Sequence, residues 1–283
     1  LEASGVMKNI LVPTDFSSHA MAAFETAVSL SRRTGAQVHL YHVIEVPEVA
    51  EMHELMAWRE SGEGESMENA DGMLRQLVTN EAYKDIRPVY SIDYGTPHKS
   101  ISAKAAGEGF DLVVVGSHGM SRIDKIIFGS TTEKVIRNTL CPVLTINDTI
   151  SCFLPSTIVF CAGIAAEQAC GLETVKSIAL LYDAVIHIVK VSTPEHFETT
   201  RESRMAMKTL AETNKLPQYT LNHYNDRSIE EGLKHFSEDI SADLICMPTH
   251  GTSGIRHLFR KSVTGNMTRQ IAIPVLTCRI PET

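Results

Sequence analysis

The 283-residue chain has no lysine- or arginine-rich block, no CxxC pair and no apolar run of about 18 residues. Its formal net charge is -8 and its pI is near 5.8, so it has no electrostatic reason to hold a nucleic-acid backbone. The missing apolar run argues against a membrane-spanning helix. The residues Leu1 to Val6 lack a charged start with a long apolar stretch. They read as a remnant ahead of a natural start at Met7, and with no leader the cytoplasm is the expected compartment. Several of the six cysteines, Cys161 and Cys246 among them, sit in apolar runs and are expected as reduced thiols packed like small hydrophobes. There is no G-x-x-x-x-G-K-[ST] loop, nucleophile elbow or metal-ligand spacing, so no catalytic set is legible.

What is present is a globular composition, 43% hydrophobic and 21% charged, with apolar material for two cores. It is arranged as a duplication. Ile10 to Val43 aligns without gaps on Ile158 to Val191 at an offset of 148, and Asp111 to Thr145 aligns on Asp243 to Thr277 at an offset of 132. The offsets differ by 16, so the first copy carries about that many extra residues, assigned to the stretch Glu45 to Glu65. Two related domains are expected, 7–148 and 155–280, with the boundary near Asn147 to Ser156.

In copy one, short apolar runs alternate with helical patterns. Strands are predicted at Asn9 to Pro13, Gln37 to Val43, Arg87 to Ile92, Asp111 to Val115 and Pro142 to Ile146. Helices are predicted from a Ser17 or Ser18 cap to Arg33, then at Met67 to Thr79, Ser100 to Glu108 and Thr131 to Asn138. Gly35 is placed to stop the first helix. Such alternation requires right-handed βαβ crossovers. The fold class is α/β: two tandem doubly wound parallel five-stranded sheets, each binding ligands at its carboxyl edge.

At that edge of copy one stands Gly116-Ser117-His118-Gly119, then nine residues, then Gly129-Ser130 and the last helix. Glycines admit close backbone approach, and the helix start at Gly129, Ser130 and Thr131 offers N–H groups to an anion. The alternative is that the glycines only form turns. Asp15, in Pro13-Thr14-Asp15, reads either as an acceptor for ribose hydroxyls or as a helix cap. Val43 reads either as a backbone reader of an adenine edge or as core. His118 either points into the site or packs beneath the loop, and Arg122 and Lys125 read as solvated charge.

These residues resemble the universal stress protein family in its ATP-binding branch. The resemblance rests on Val12-Pro13-Thr14-Asp15-Phe16-Ser17, His42-Val43-Ile44, Gly95-Thr96-Pro97, Gly116-Ser117-His118-Gly119, Gly129-Ser130 and Cys141-Pro142-Val143-Leu144. It spans copy one and, more weakly, copy two. It implies an adenine nucleotide alpha hydrolase-like, Rossmann-like sandwich. Asp15 would face the ribose and Val43 the adenine. Gly116, Gly119, Gly129 and Ser130 would wrap ribose and phosphates, with Thr131 in the same cradle. ATP is the expected ligand, with or without Mg2+, and ADP and AMP stay open.

Copy two departs from this pattern. Gly163 stands at the position of Asp15, Pro248 at Gly116 and Lys261 at Gly129, while Gly251 and Ser262 persist. Loss of nucleotide binding is expected there. Its last strand is kept, and Val143 to Ile146 should face Val275 to Cys278 as an intramolecular pseudo-dimer. Pairing of whole chains into a homodimer, and the protein partner, are not legible. Three functions follow: an ATP-binding stress sensor that is not an enzyme, a slow ATPase at the same site, or a nucleotide-free interaction protein.

Overall fold

The computed structural model describes residues 7–46, 67–117, 130–147, 152–163, 171–249 and 273–279. Copy one contains β1 (Asn9–Pro13), α1 (Ser18–Thr34), β2 (Gln37–Glu45), α2 (Met67–Val78), β3 (Val89–Gly95), α3 (Pro97–Gly107), β4 (Leu112–Gly116), α4 (Ser130–Asn138) and β5 (Val143–Ile146). Copy two contains β6 (Thr157–Cys161), α5 (Leu172–Tyr182), β7 (Val185–Ser192), α6 (Thr200–Thr213), β8 (Tyr219–Asn225), α7 (Ile229–Asp239), β9 (Leu244–Thr249) and β10 (Val275–Arg279).

Local chemistry sets the boundaries. Ser17, not Ser18, caps α1: its side chain accepts from the Ala20 N–H at 3.2 Å. Gly35 ends the helix in the left-handed region, φ 75°, and bonds back to the Ser31 carbonyl. β2 and β3 run on to Glu45 and Gly95, past the expected ends, and two starts shift for a local reason. β3 begins at Val89 because Arg87 is left-handed, φ 45°, and Pro88 has no N–H for a ladder. α3 begins at Pro97 rather than Ser100, since proline suits a first helical turn whose N–H groups have no intrahelical partner.

The strands form one sheet in the order β3-β2-β1-β4-β5-β10-β9-β6-β7-β8. Each half is parallel within itself and has the same internal order. The expected contact of last strands is an antiparallel ladder, Val275 opposite Thr145, Leu276 opposite Leu144 and Thr277 opposite Val143. It merges the two five-stranded sheets into one of ten strands.

Alternate residues of each strand feed opposite faces. Ile10, Val12, Leu40 and Leu112 pack under α1 and α2 in a core that continues under α5 and α6. Leu11, Tyr41, Val113 and Val115 pack under α3 and α4. Val159, Val189 and Ile245 pack with α7. Helices therefore cover both faces, and the crossovers diverge at β1 and β4. No described helix is long and apolar enough to cross a membrane.

The duplication is visible in matched bonds. Asp111 Oδ2 accepts from the N–H groups of Lys8 and Asn9 at 2.7 and 2.9 Å. Asp243 Oδ2 accepts from those of Ser156 and Thr157 at 2.8 and 3.0 Å. Asp183 holds the left-handed cap of α5, φ 52°, where copy one has Gly35.

Cysteine burial is uneven. Cys161, Cys246 and Cys278 are buried, Cys141 is half-buried and Cys152 is exposed, so Cys152 departs from the expected packing role. Burial pushes the Cys161 and Cys141 thiols up to about 11. At pH 8 each is then ionised to only about one part in a thousand, and the thiolate is the nucleophile. In a Cys170→Ser background, alkylation at pH 8 should label Cys152 first, with Cys161 labelled only on unfolding. Equal rates by peptide mass spectrometry would contradict this burial. Gly171 gives a second test. Its φ is 78°, and an added Cβ would collide with Cys278 Sγ. Gly171→Ala should cost about 2–4 kcal/mol from the collision and the left-handed backbone together, read as a lower urea midpoint.

Candidate nucleotide site at the carboxyl edge of copy one

β1 leaves the sheet before β2 does. The last β1–β2 pair is Pro13 with Tyr41, after which the chain turns through Thr14, Asp15 and Phe16 into α1. β2 continues beside β3 as far as Glu45. In a parallel ladder, successive peptide groups turn to alternate neighbours. Tyr41 turns its carbonyl to the β1 side, where it accepts from the Thr14 N–H at 2.9 Å. Val43, two residues further, turns its N–H and C=O to the same side, where β1 no longer runs. Its side chain is half-buried against the core under α3 and α4.

The turn itself is tightly bonded. The Phe16 N–H donates to Thr14 Oγ1 at 3.0 Å and the Ser17 N–H donates to Asp15 Oδ1 at 3.1 Å. Because Ser17 caps the helix, Asp15 is a turn residue rather than the cap. Phe16 is left-handed, φ 62°, which costs a bulky side chain about 1–2 kcal/mol. Thr14 is buried, while Pro13 and Asp15 are half-buried.

Gly116 ends β4 on the other side of β1, whose register with β4 pairs Ile10 with Leu112 and Leu11 with Val113. An added Cβ at Gly116 would lie 2.7–2.8 Å from the backbone of His19, in the first turn of α1. The glycine thus admits a helix close to the strand. The Ser117 N–H donates to the Ile146 carbonyl at 2.7 Å, and Thr132 Oγ1 donates to the Gly116 carbonyl at 2.9 Å. That second bond ties the start of α4 to the end of β4. Ser130 and Thr131 are exposed at the N-terminus of α4. Pro13, Thr14, Asp15, Val43, Gly116, Ser117, Ser130 and Thr131 therefore occupy one edge. His118, Gly119 and Gly129, with Arg122 and Lys125, lie outside the described residues.

Three participants were not expected from the sequence. Thr132 provides the tether just described. His42 is buried, and its Nδ1 lies 2.8 Å from the Thr14 carbonyl, with its ring 4.9 Å from that of Phe16. Tyr41 donates to Asp93 Oδ2 at 2.7 Å, and its phenol is held well above the ordinary range, first by burial and then by that bond. Strand alternation places His42 and Val43 on opposite faces, and that was the one available signal.

Copy two keeps the frame and changes the edge. The Ala162 N–H donates to the Val189 carbonyl at 2.9 Å, as Thr14 does to Tyr41. Gly163 supplies no carboxylate. Lys190, at the position of His42, is buried and donates to the Gly163 carbonyl at 3.1 Å. Its Nζ also lies 3.0 Å from Glu198 Oε1. Pro248 is a β9 residue paired with Cys278, while Gly251, Lys261 and Ser262 lie outside the described residues.

A doubly wound α/β sandwich whose strand order diverges beside β1 belongs to a class of folds that bind ligands at the carboxyl ends of their strands. The model of the universal stress protein family matches residues 7–147 and 158–279, and the chain belongs to that family. It is 30% identical to a universal stress protein of Methanocaldococcus jannaschii, over 50% of this chain and 96% of that protein. It is 29% identical to a putative universal stress protein of Staphylococcus aureus, over 49% of this chain and 83% of that one. The fold of nearly the whole chain is similar to that of a universal stress protein from Archaeoglobus fulgidus. That match has a TM-score of 0.68, 17% identity and 96% coverage of both chains.

The Gly116 contact can be tested directly. Gly116→Ala should lower stability by about 1–3 kcal/mol, the usual range for overpacking, because backbone on both sides resists displacement. A urea midpoint equal to that of the parent protein would reject the close approach of α1.

Proposed function

We propose that copy one, residues 7–148, binds an adenine nucleotide, with ATP as the ligand, and that copy two, residues 155–280, does not bind one in this manner. The observation that carries the reading is the peptide of Val43, turned toward the crevice that β1 vacates at Pro13. A paired N–H and C=O can read an adenine edge, while the Val43 side chain braces the base.

Around it stand groups of the right chemistry. An ionised carboxylate only accepts hydrogen bonds, which suits Asp15 to ribose hydroxyls, and the Ser17 N–H fixes its orientation. Ser130 and Thr131 present hydroxyls at a helix N-terminus, where N–H groups favour phosphate. Mg2+, where present, would supply charge to the phosphates. Copy two has no carboxylate at Gly163 and carries a buried Lys190 beneath the same turn.

The activity is binding rather than turnover. Phosphoryl transfer needs positioned cations and a group that orients water, and the sequence offers no G-x-x-x-x-G-K-[ST] loop for that work. In this reading the chain, a member of the universal stress protein family, is a stress-linked regulator working in the cytoplasm, its nucleotide state read by a protein partner.

By calorimetry, Asp15→Ala should weaken ATP binding about 10–100-fold, the loss expected when an ionised acceptor is removed. Unchanged affinity would remove Asp15 from the site. Binding should saturate at one nucleotide per chain, and two tight sites would refute the assignment to copy one alone. Phosphate release abolished by Gly129→Lys would favour the slow ATPase instead.

A further inference from the structure

We propose that His42 is a positioning residue of the nucleotide site: it tethers the β1–α1 turn from the face opposite the ligand and so sets the orientation of Asp15. This rests on the nucleotide reading above.

His42 is bonded to Thr14. A carbonyl can only accept, so the 2.8 Å contact requires the proton on Nδ1 of His42. The ring is buried, and it meets Phe16 at 4.9 Å between centroids with the planes 35° apart. Phe16 is the residue forced into left-handed backbone, φ 62°. One side chain thus grips the residues on both sides of Asp15, through a carbonyl at 14 and a ring at 16. Two short bonds inside the turn complete the clamp, from Phe16 N–H to Thr14 Oγ1 and from Ser17 N–H to Asp15 Oδ1. Strained backbone persists only where its surroundings over-determine it, and such strain concentrates at binding sites.

Strand alternation divides the work between neighbours. Val43 packs toward α3 and α4, whereas His42 lies under the turn that leads into α1. His42 therefore acts on a ligand through Asp15 and not by touching it.

Copy two supplies an independent observation. Lys190 occupies the equivalent place on β7 and also donates to a carbonyl of the matching turn, that of Gly163 at 3.1 Å. The tether persists in both copies, but its chemistry differs. The copy with a carboxylate in the turn is tethered by an imidazole N–H. The copy with glycine there is tethered by an ammonium balanced by Glu198 at 3.0 Å.

The test uses the full chain and ATP calorimetry. Asparagine carries its side-chain N–H at the same number of bonds from Cα as histidine Nδ1, so H42N should bind within about 3-fold of the parent protein. H42L, which deletes the donor, should bind at least about 10-fold more weakly, measured at a temperature where it is folded. Adding H42L to D15A should weaken binding little beyond D15A alone, because the two act as one unit. H42L binding like the parent protein, H42N losing as much as H42L, or full additivity with D15A would each overturn the proposal.

A measurement on the unaltered protein holds even if H42L does not fold. 1H–15N spectra should show the Nδ1–H form of His42, with its ring proton protected from exchange. The Nε2–H form would refute the tether. A parent chain that takes up no ATP sinks the nucleotide reading and this inference together. Binding that is indifferent to H42L sinks this inference alone.

Discussion

The molecule depends on the short antiparallel ladder between β5 and β10. A parallel five-stranded sheet that ends in an apolar strand exposes a row of unpaired peptide groups, which invites association with any similar edge. Here Leu144 meets Leu276 inside the same chain, both fully buried. That edge is therefore satisfied without a second molecule, leaving β3 and β8 as the outer strands of the sheet. The ladder also fixes the relation of the helical layers. The core under α1 and α2 runs without interruption under α5 and α6. Arg33, at the end of α1, donates to the Leu181 carbonyl and lies over the Tyr182 ring at the end of α5. That contact has no mirror image, because Leu181 stands in copy two where Arg33 stands in copy one.

Within this frame the two copies have diverged unevenly. The bonds that hold strands in register are kept: Asp111 and Asp243 clamp the first strand of each half, and His39 with Ser91 is matched by His187 with Thr220. At the carboxyl edge some groups are kept, Val43 as Val191 and Ser130 as Ser262, and others are not. Asp15 became glycine, His42 became lysine and Gly116 became proline. Register contacts serve folding in both halves, so either copy needs them whether or not it holds a ligand. The edge positions lie past the paired residues of the first strand in each half, so copy two could change them and keep its sheet.

Much of this was legible in the sequence because it is written in local pattern. Gap-free alignment of the copies, apolar runs of strand length and Gly35 after a helical stretch each carry their own physics. The shifted starts of β3 and α3 were misjudged by two or three residues, although Pro88 and Pro97 marked them. Other features were not legible because they exist only in three dimensions. Nothing local tells that Phe16 turns left-handed, that Thr132 reaches back to Gly116, or that His42 lies under Thr14. The sequence offered Gly116 as a ligand contact or a turn former, and the described structure adds the close approach of His19 of α1. A missing Cβ records that something approaches; it does not record what.

That contact explains why the edge of copy one can be rigid. With no side chain at Gly116, the first turn of α1 settles against the end of β4, and Thr132 draws α4 to the same carbonyl. The β1–α1 turn leaves the sheet beside this contact, with the Ser17 N–H holding the Asp15 carboxylate at 3.1 Å. Copy two cannot use the same solution, because Pro248 puts a ring where Gly116 has none. Its close approach is displaced to the helix side, where Gly171 at the start of α5 sits against Cys278 of β10 and within reach of Cys246 of β9. Both halves thus use glycine to seat helices on the sheet, and copy two has a second at Gly232 of α7, against Val191 of β7. In copy one the close-packed glycine Gly116 is on a strand, whereas in copy two Gly171 and Gly232 are on the helix side, so the two halves seat their helices by opposite partners.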